Sequence, residues 1–247
     1  MKSFDFQVHS RFSFDSWNGI KDIKNKALKE GLNGVAITDH ESFDANNIAK
    51  KHNDSNFIFV PGQEINTEFG DIIALFISKK INTNQFHEVI KEIRQQNGVV
   101  YLPHPARKLK LTKEMIKNNI DVVEVVNGRS NKDENKYSAK LALDLDIPFA
   151  GGSDAHTLRE IGKVKTIFSK GISNLEELQR MLLDNSISRR IVGSGNYSLL
   201  NNFQSSLIGT MKTGKIKDFA RGISKKLIKT KIKKNESKNE EKLIEIK

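Results

Sequence analysis

"FDFQVHSRFSFD", residues 4–15, is the stretch from which the rest of the chain is read. Its apolar residues alternate with Asp5, Gln7 and His9, the period of two expected of a strand. The run then breaks into Ser10 and Arg11 and reaches a further carboxylate at Asp15. Alternation places Asp5, Gln7 and His9 on one face of a first strand, with the histidine at its end. A polar face on a buried strand needs a partner, which a barrel interior or a cation would supply.

Seven further apolar or β-branched runs follow, at residues 35–38, 57–60, 72–76, 99–102, 122–126, 148–150 and 164–168. Segments with helical spacing lie between most of them, at 20–28, 86–93, 137–145 and 175–183. Strands that read as nearly continuous apolar runs are covered on both faces, as in a parallel sheet wrapped by helices. Seven or eight such β/α units point to a barrel more than to an open sheet. "NTEFGD" (66–71) reads as a hairpin turn and so as a local exception to the parallel order.

The 247 residues can bury a substantial core, and they include no cysteine. Disulfides, thiolate metal sites and a cysteine nucleophile are thereby excluded, so any metal must be held by His, carboxylate or amide oxygen. No apolar run approaches the roughly 20 residues of a bilayer span and no basic-then-apolar leader precedes the first strand, so the expectation is a cytoplasmic protein without a transmembrane segment. The net charge is +11, of which residues 201–247 carry +8, with 13 Lys or Arg against 5 Asp or Glu. The expected division is a barrel over 1–195, then a linker and basic amphipathic tail over 196–247. Ile216, Phe219, Ala220, Ile223, Leu227 and Ile228 recur there at helical spacing, and the end is polar and expected to be disordered. Such a tail suits nucleic acid or an anionic surface. Oligomeric state is not fixed by these features.

Placement of the histidines carries most information. Of six, His9, His40, His104 and His156 come directly after apolar runs, while His52 and His87 fall elsewhere. Asp39, Glu64, Asn127 and Asp154 also stand at strand ends. Singly, each has an ordinary reading: "TDH" (38–40) as a helix N-cap, Asn127 and Gly128 as a turn. In "GGSDAH" (151–156), alternation puts Asp154 and His156 on one face. Together the positions converge, because a parallel barrel gathers its strand ends at one mouth. Imidazoles and carboxylates crowded there call for cations between them.

These residues resemble the polymerase and histidinol phosphatase (PHP) family of metal-dependent phosphoesterases. Its first motif reads roughly Asp-Leu-His-x-His-Ser/Thr followed by Ser-Asp-Gly, and "DFQVHSRFSFDS" (5–16) is similar to it. "ITDHES" (37–42), "PGQE" (61–64), "PHP" (103–105), "EVVNGR" (124–129) and "GGSDAH" (151–156) follow in the family's order, covering about residues 1–195. The resemblance implies a distorted seven-stranded β/α, TIM-like barrel holding two or three divalent ions, drawn from Mn, Zn, Fe or Mg. It implies a first ion at His9, Glu64 and Asp154, with Gln7 where the family usually has histidine. A second would sit at Glu64, His104 and Asn127, and a third at Asp15, His40 and His156. Arg11 and Arg129 are expected to bind phosphate oxygens. An amide oxygen from Gln7 shifts preference toward Mn²⁺ or Mg²⁺ over Zn²⁺.

The expected activity is hydrolysis of a phosphate ester by a metal-bridged hydroxide, with Asp154 holding the ion of the attacking water and His156 or Asp39 moving the proton. Nucleotides or short oligonucleotides are the expected substrates, with amino-alcohol phosphates left open. The alternative is a barrel of this type with an impaired site, binding nucleic acid or membrane through its tail.

Overall fold

Each of the eight apolar runs corresponds to a strand in the computed structural model, which describes residues 1–107, 110–193 and 199–213. In chain order the elements are β1 (Lys2–Val8), α1 (Ile20–Lys29), β2 (Gly34–Ile37), α2 (Asp44–Ala49), β3 (Ile58–Thr67), β4 (Gly70–Leu75), α3 (Phe86–Gln95) and β5 (Val99–Leu102). There follow α4 (Lys113–Asn119), β6 (Val122–Asn127), α5 (Lys132–Leu145), β7 (Phe149–Gly152), β8 (Val164–Phe168), α6 (Leu175–Leu183), β9 (Arg189–Gly193) and α7 (Leu199–Thr213).

The strands form one sheet in the order β7-β6-β5-β4-β3-β2-β1-β8-β9. Strands β1, β2 and β3 are parallel, as are β5, β6 and β7, while β4 runs antiparallel to both neighbours. The hairpin expected at 66–71 joins β3 to β4, with Thr67 opposite Gly70. Beyond β7 the chain reaches the upper half of β1, where His9 N–H donates to Ala155 O at 2.8 Å and Ala155 N–H to Gln7 O at 3.2 Å. The sheet is thus a nearly closed barrel. Its strand count differs from the expected seven, because β8 pairs antiparallel with the lower half of β1 and β9 extends β8.

Alternation along β4 and β5 separates two of the three clusters of the core. Ile73, Leu75, Val99 and Tyr101 pack inside with Phe4, Phe6 and Phe168, while Ile72, Ala74, Val100 and Leu102 pack beneath Phe86, Val89, Ile90 and Ile93 of α3. Phe6 stacks on Tyr101 at 6.4 Å between centroids and meets Phe168 edge-on at 6.5 Å. Each such large apolar side chain contributes ~1.5–3 kcal/mol on burial. This plug of large apolar side chains fills the lower barrel. Gly152 permits closure: a Cβ would lie 2.6 Å from Glu124 Oε1 and 2.9 Å from Gln7 N.

One expectation about β1 needs correction. Its register against β2 shifts between Asp5 and Val8, so simple alternation fails at that point. Gln7 and His9 reach Glu64, but Asp5 does not join them. The Asp5 carboxylate accepts from Ser153 N–H at 2.8 Å and Gly162 N–H at 3.0 Å, binding the segments on either side of His156 to β1. The boundary near 195 also changes character, since residues 199–202, assigned to a linker, begin α7. The amphipathic pattern of 216–228 lies outside the described residues.

Candidate metal centre

Strand ends bring the histidines together as the barrel layout requires. His9 follows β1, His40 follows β2, His104 follows β5, and Asp154 and His156 follow β7. Glu64 lies within β3, level with these ends because β3 overruns its neighbour, and His40 forms a parallel bridge to it. The rings of His9 and His156 are 4.1 Å apart between centroids, those of His9 and His40 4.6 Å, and those of His40 and His156 6.0 Å.

Glu64 is the hub. His9 Nε2 lies 3.3 Å and His40 Nδ1 3.7 Å from its Oε2, and His104 Nε2 lies 3.2 Å from its Oε1. His9 Nε2 is also 3.5 Å from Asp154 Oδ1. On the other side of the His9 ring, Asp15 Oδ2 is 2.9 Å from His156 Nε2 and 3.6 Å from His40 Nε2. Two non-glycine residues of the centre have left-handed backbone, His104 at φ 30° and Asp154 at φ 55°. Such conformations cost ~1–3 kcal/mol and persist where the surroundings enforce them.

Burial works against a charged Glu64, but His40, His104 and His9 outweigh it and hold the carboxyl well below its usual range. Asp15 is likewise held low, burial being overcome chiefly by His156. His9 is driven the other way: burial opposes its charge, yet Asp154 and Glu64 raise its pKa well above the ordinary value. For His156, burial and then His9 lower the pKa. Its Nδ1 lies 2.8 Å from Asp154 O. A carbonyl only accepts, so Nδ1 carries a proton; Nε2 faces the Asp15 carboxylate, another acceptor, so that contact needs either a second proton on the ring or a cation shared between the two.

Would these residues suit divalent ions? His9 is fully buried and neither ring nitrogen has a hydrogen-bond partner among the described residues. With Nε2 facing two carboxylate oxygens, a buried imidazole so placed is costly unless it is protonated between them or shares a cation with them. Potential ligand atoms of His9, Asp15, His40 and His156 all lie within 4.8 Å of one another, as do those of Glu64, Asp71 and His104. Imidazole nitrogens with carboxylate oxygens and no thiolate match Mn²⁺, Fe²⁺, Zn²⁺ or, with more oxygen, Mg²⁺. The set fits.

Two side chains escaped the sequence reading. Asp71, at the start of β4, has a carboxylate oxygen within 4.8 Å of ligand atoms of Glu64 and His104. Arg107 follows a turn closed by its own N–H on His104 O at 2.8 Å. Its guanidinium donates to Asp154 Oδ2 at 3.0 Å and Asn127 Oδ1 at 2.5 Å. Asn127 is otherwise committed, its amide donating to Gln7 Oε1 at 3.0 Å and Glu124 Oε2 at 2.9 Å. Gln7 in turn donates to Glu64 Oε2 at 3.0 Å, so as placed it is a hydrogen-bond bridge between the two.

The remaining expected residues lie nearby in other roles. Asp39 is turned toward Ser10, accepting from its N–H at 2.5 Å and its hydroxyl at 2.6 Å, and burial raises its pKa. Arg11 is exposed, with its guanidinium 5.5 Å from the centre of the Phe12 ring. Arg129 is buried, bonded to Glu160 at 3.0 Å and Ser205 at 3.1 Å. Glu160 also accepts from the N–H groups of His156 and Thr157 at 3.0 and 2.9 Å. Arg129 therefore acts through Glu160 on the loop that carries His156.

Comparison with known proteins agrees with this layout. The family model for the PHP domain matches residues 5–144, and one described as PHP-associated matches 132–186. An uncharacterized protein of Methanocaldococcus jannaschii is 33% identical over 178 residues, covering 67% of this chain and 70% of its own. Among solved structures, a two-domain protein of Bacteroides vulgatus with a PHP-like metal-dependent phosphoesterase superposes with a TM-score of 0.63 at 20% identity, over 78% of this chain and 65% of that one. A lesion-specific endonuclease of Pyrococcus furiosus has a TM-score of 0.53 at 14% identity, over 77% of this chain and 57% of that one. At these identities the structures speak for the fold.

Proposed function

This chain belongs to the PHP domain family, and from that membership and its cluster of imidazoles and carboxylates we propose that it hydrolyses a phosphate ester of a nucleotide or short oligonucleotide. The observation that carries the reading is His9, buried with both ring nitrogens orphaned and Nε2 directed between Glu64 and Asp154. His9, Glu64 and Asp154 would hold one ion, Glu64, His104 and Asp71 a second, and Asp15, His40 and His156 a third. Such ions, when bound, make water acidic enough to attack near neutral pH and offset charge on the phosphoryl group.

The chain's own residues do the rest. Glu64 joins the two inner groups, fixing their separation. Arg107 is the cation for substrate phosphate, its planar donors already at the mouth and bonded to Asp154 and Asn127. It takes the part expected of Arg11 and Arg129, one directed outward and the other committed to Glu160. His156, with Nδ1 held by the Asp154 carbonyl, turns Nε2 toward Asp15, where the two would share an ion. Asp39 holds Ser10 and with it the start of the loop that carries Asp15. The likeness to an endonuclease supports a nucleic-acid substrate, as does the basic tail.

Purified protein loaded with Mn²⁺ should release phosphate or nucleotide from a panel of aryl phosphates, mononucleotides and short oligonucleotides. His104→Ala and Asp154→Ala should each lower the rate by ~100-fold or more, as loss of a ligand does when loss of its supporting contacts alone costs ~10–100-fold. No release from any member of the panel by metal-loaded protein, or rates indifferent to both substitutions, would overturn the proposal.

A further inference from the structure

Helix α7 follows the last strand of the barrel, yet it returns to the mouth. Ser205, Gly209 and Lys212 recur at the spacing of one helix face. Ser205 is buried, and its hydroxyl accepts from Arg129 Nη2 at 3.1 Å. A Cβ at Gly209 would lie 3.5 Å from Phe14 Cδ2 and 3.7 Å from Asp15 Cβ, so the helix backbone rests on the loop between β1 and α1. Lys212 completes the contact. Its Nζ donates to the carbonyls of Arg11 at 2.8 Å, Ser13 at 2.7 Å and Ser16 at 2.5 Å. An ammonium has three donors and no acceptor, and three main-chain oxygens engage all of them.

That loop supplies Asp15. Ser13 donates its hydroxyl to Asp15 Oδ1 at 2.7 Å, and Asp15 Oδ2 faces His156 and His40. Phe14 stacks on the His40 ring at 5.1 Å between centroids. One ammonium therefore gathers the segment on both sides of a ligand and of a ring that packs on a second ligand.

We propose that Lys212 is a positioning residue for the ion site formed by Asp15, His40 and His156. By binding three carbonyls of the 11–16 segment it holds Asp15 toward both imidazoles before an ion arrives. The inference rests on the metal reading above and goes beyond it by making α7 part of the centre.

The sign of the effect separates this role from simple electrostatics. Burial lowers the pKa of Lys212, and Asp15 and Asp39 lie close enough to its positive charge to pull against that shift. Were charge its only contribution, removing it would relieve repulsion and tighten the binding of a divalent ion. Positioning predicts the reverse.

Full-length protein stripped of metal should be titrated with Mn²⁺, free ion being followed by its electron paramagnetic resonance signal. In Lys212→Met, which keeps the aliphatic stem, one ion should bind ~10–100-fold more weakly, the range for loss of a supporting contact, while the others bind as in the wild type. Gly209→Leu, which forces α7 off Phe14 and Asp15, should reproduce the loss without touching a charge. On an Asp15→Asn background, Lys212→Met should weaken binding no further. Equal or tighter binding in both single variants, or weakening spread over every ion, would overturn the inference while leaving the metal reading intact. Wild-type protein that takes up no ion would overturn both.

Discussion

Glu64 stands among three imidazoles with nothing but acceptor oxygens, so each neighbour must donate a proton to it or share a cation with it. Asp71 sharpens that choice. Its carboxylate comes within 4.8 Å of ligand atoms of both Glu64 and His104, and a divalent cation held between them would offset the repulsion of the two carboxylates. Asn127, the residue expected there, spends its amide on Gln7, Glu124 and Arg107 instead. Asp71→Asn should therefore lower the ratio of metal to protein after dialysis against limiting Mn²⁺, with at least a ~10-fold loss of affinity at one site. Asn127→Ala should leave that ratio unchanged and instead raise the KM for a phosphate ester, because Arg107 loses one of its two anchors. The assignment of Asp71 would be abandoned if Asn127→Ala emptied a site and Asp71→Asn did not.

Strand β6 carries a fully buried carboxylate, Glu124, bonded to the backbone of His104 at the candidate metal centre. It accepts from His104 N–H at 2.8 Å and Asn127 Nδ2 at 2.9 Å, and Tyr101 Oη lies at 3.3 Å. Burial pushes its pKa up to about 7, with His104 and Asn127 pulling against it. A carboxyl with its folded pKa above its unfolded value of 4.5 binds its proton more tightly in the folded state. The stability it contributes is present below pH 4.5 and is lost as pH rises through 7. In chelator, denaturant unfolding of wild type and Glu124→Gln should diverge by ~3 kcal/mol between pH 4.5 and 8 in favour of the variant, the free-energy equivalent of that pKa difference. The amide keeps the acceptor for His104 and Asn127 and offers a donor to Tyr101; parallel curves would refute the raised pKa. The strands themselves were legible because their apolar runs are short and bounded, and the mouth was legible because parallel strands end there. That rule hid Asp71: β4 runs backwards, so its first residues, not its last, face the centre. Edge strand β9 exposes alternate residues to solvent and so lacks a buried run, and α2 and α4, at six and seven residues, are too short to show a helical period. Arg107 carried a usable signal, since Pro105 after His104 marks a turn that folds the next residues back over the strand end. The shift in β1 left none, and with it the turning of Asp5 toward Ser153.

Across the whole molecule, charge and chemistry are separated along the sequence and brought together in space. Residues 1–200 carry a net +3 and residues 201–247 a net +8. Because α7 lies against the 11–16 loop through Lys212, the chain leaves its described part at Thr213 beside the candidate metal centre. The following 34 residues, which lie outside the described part, contain 12 Lys or Arg and 5 Asp or Glu. Among the described residues no helix is long and apolar enough to cross a membrane. Attraction between such a segment and a polyanion is long-ranged and sequence-independent, and each phosphate neutralised on a single strand steepens the salt dependence of binding by ~0.7 in log–log slope. A chain ending at Thr213, which keeps Lys212, should therefore hydrolyse an aryl phosphate at the wild-type rate. Its affinity for a single-stranded oligonucleotide should fall, and its salt dependence should flatten. This outcome would make the tail a substrate-gathering appendage to an enzyme. Loss of oligonucleotide affinity from a full-length protein that hydrolyses nothing would support a binding module instead, and matching salt slopes for the two chains would eliminate an electrostatic role for the tail.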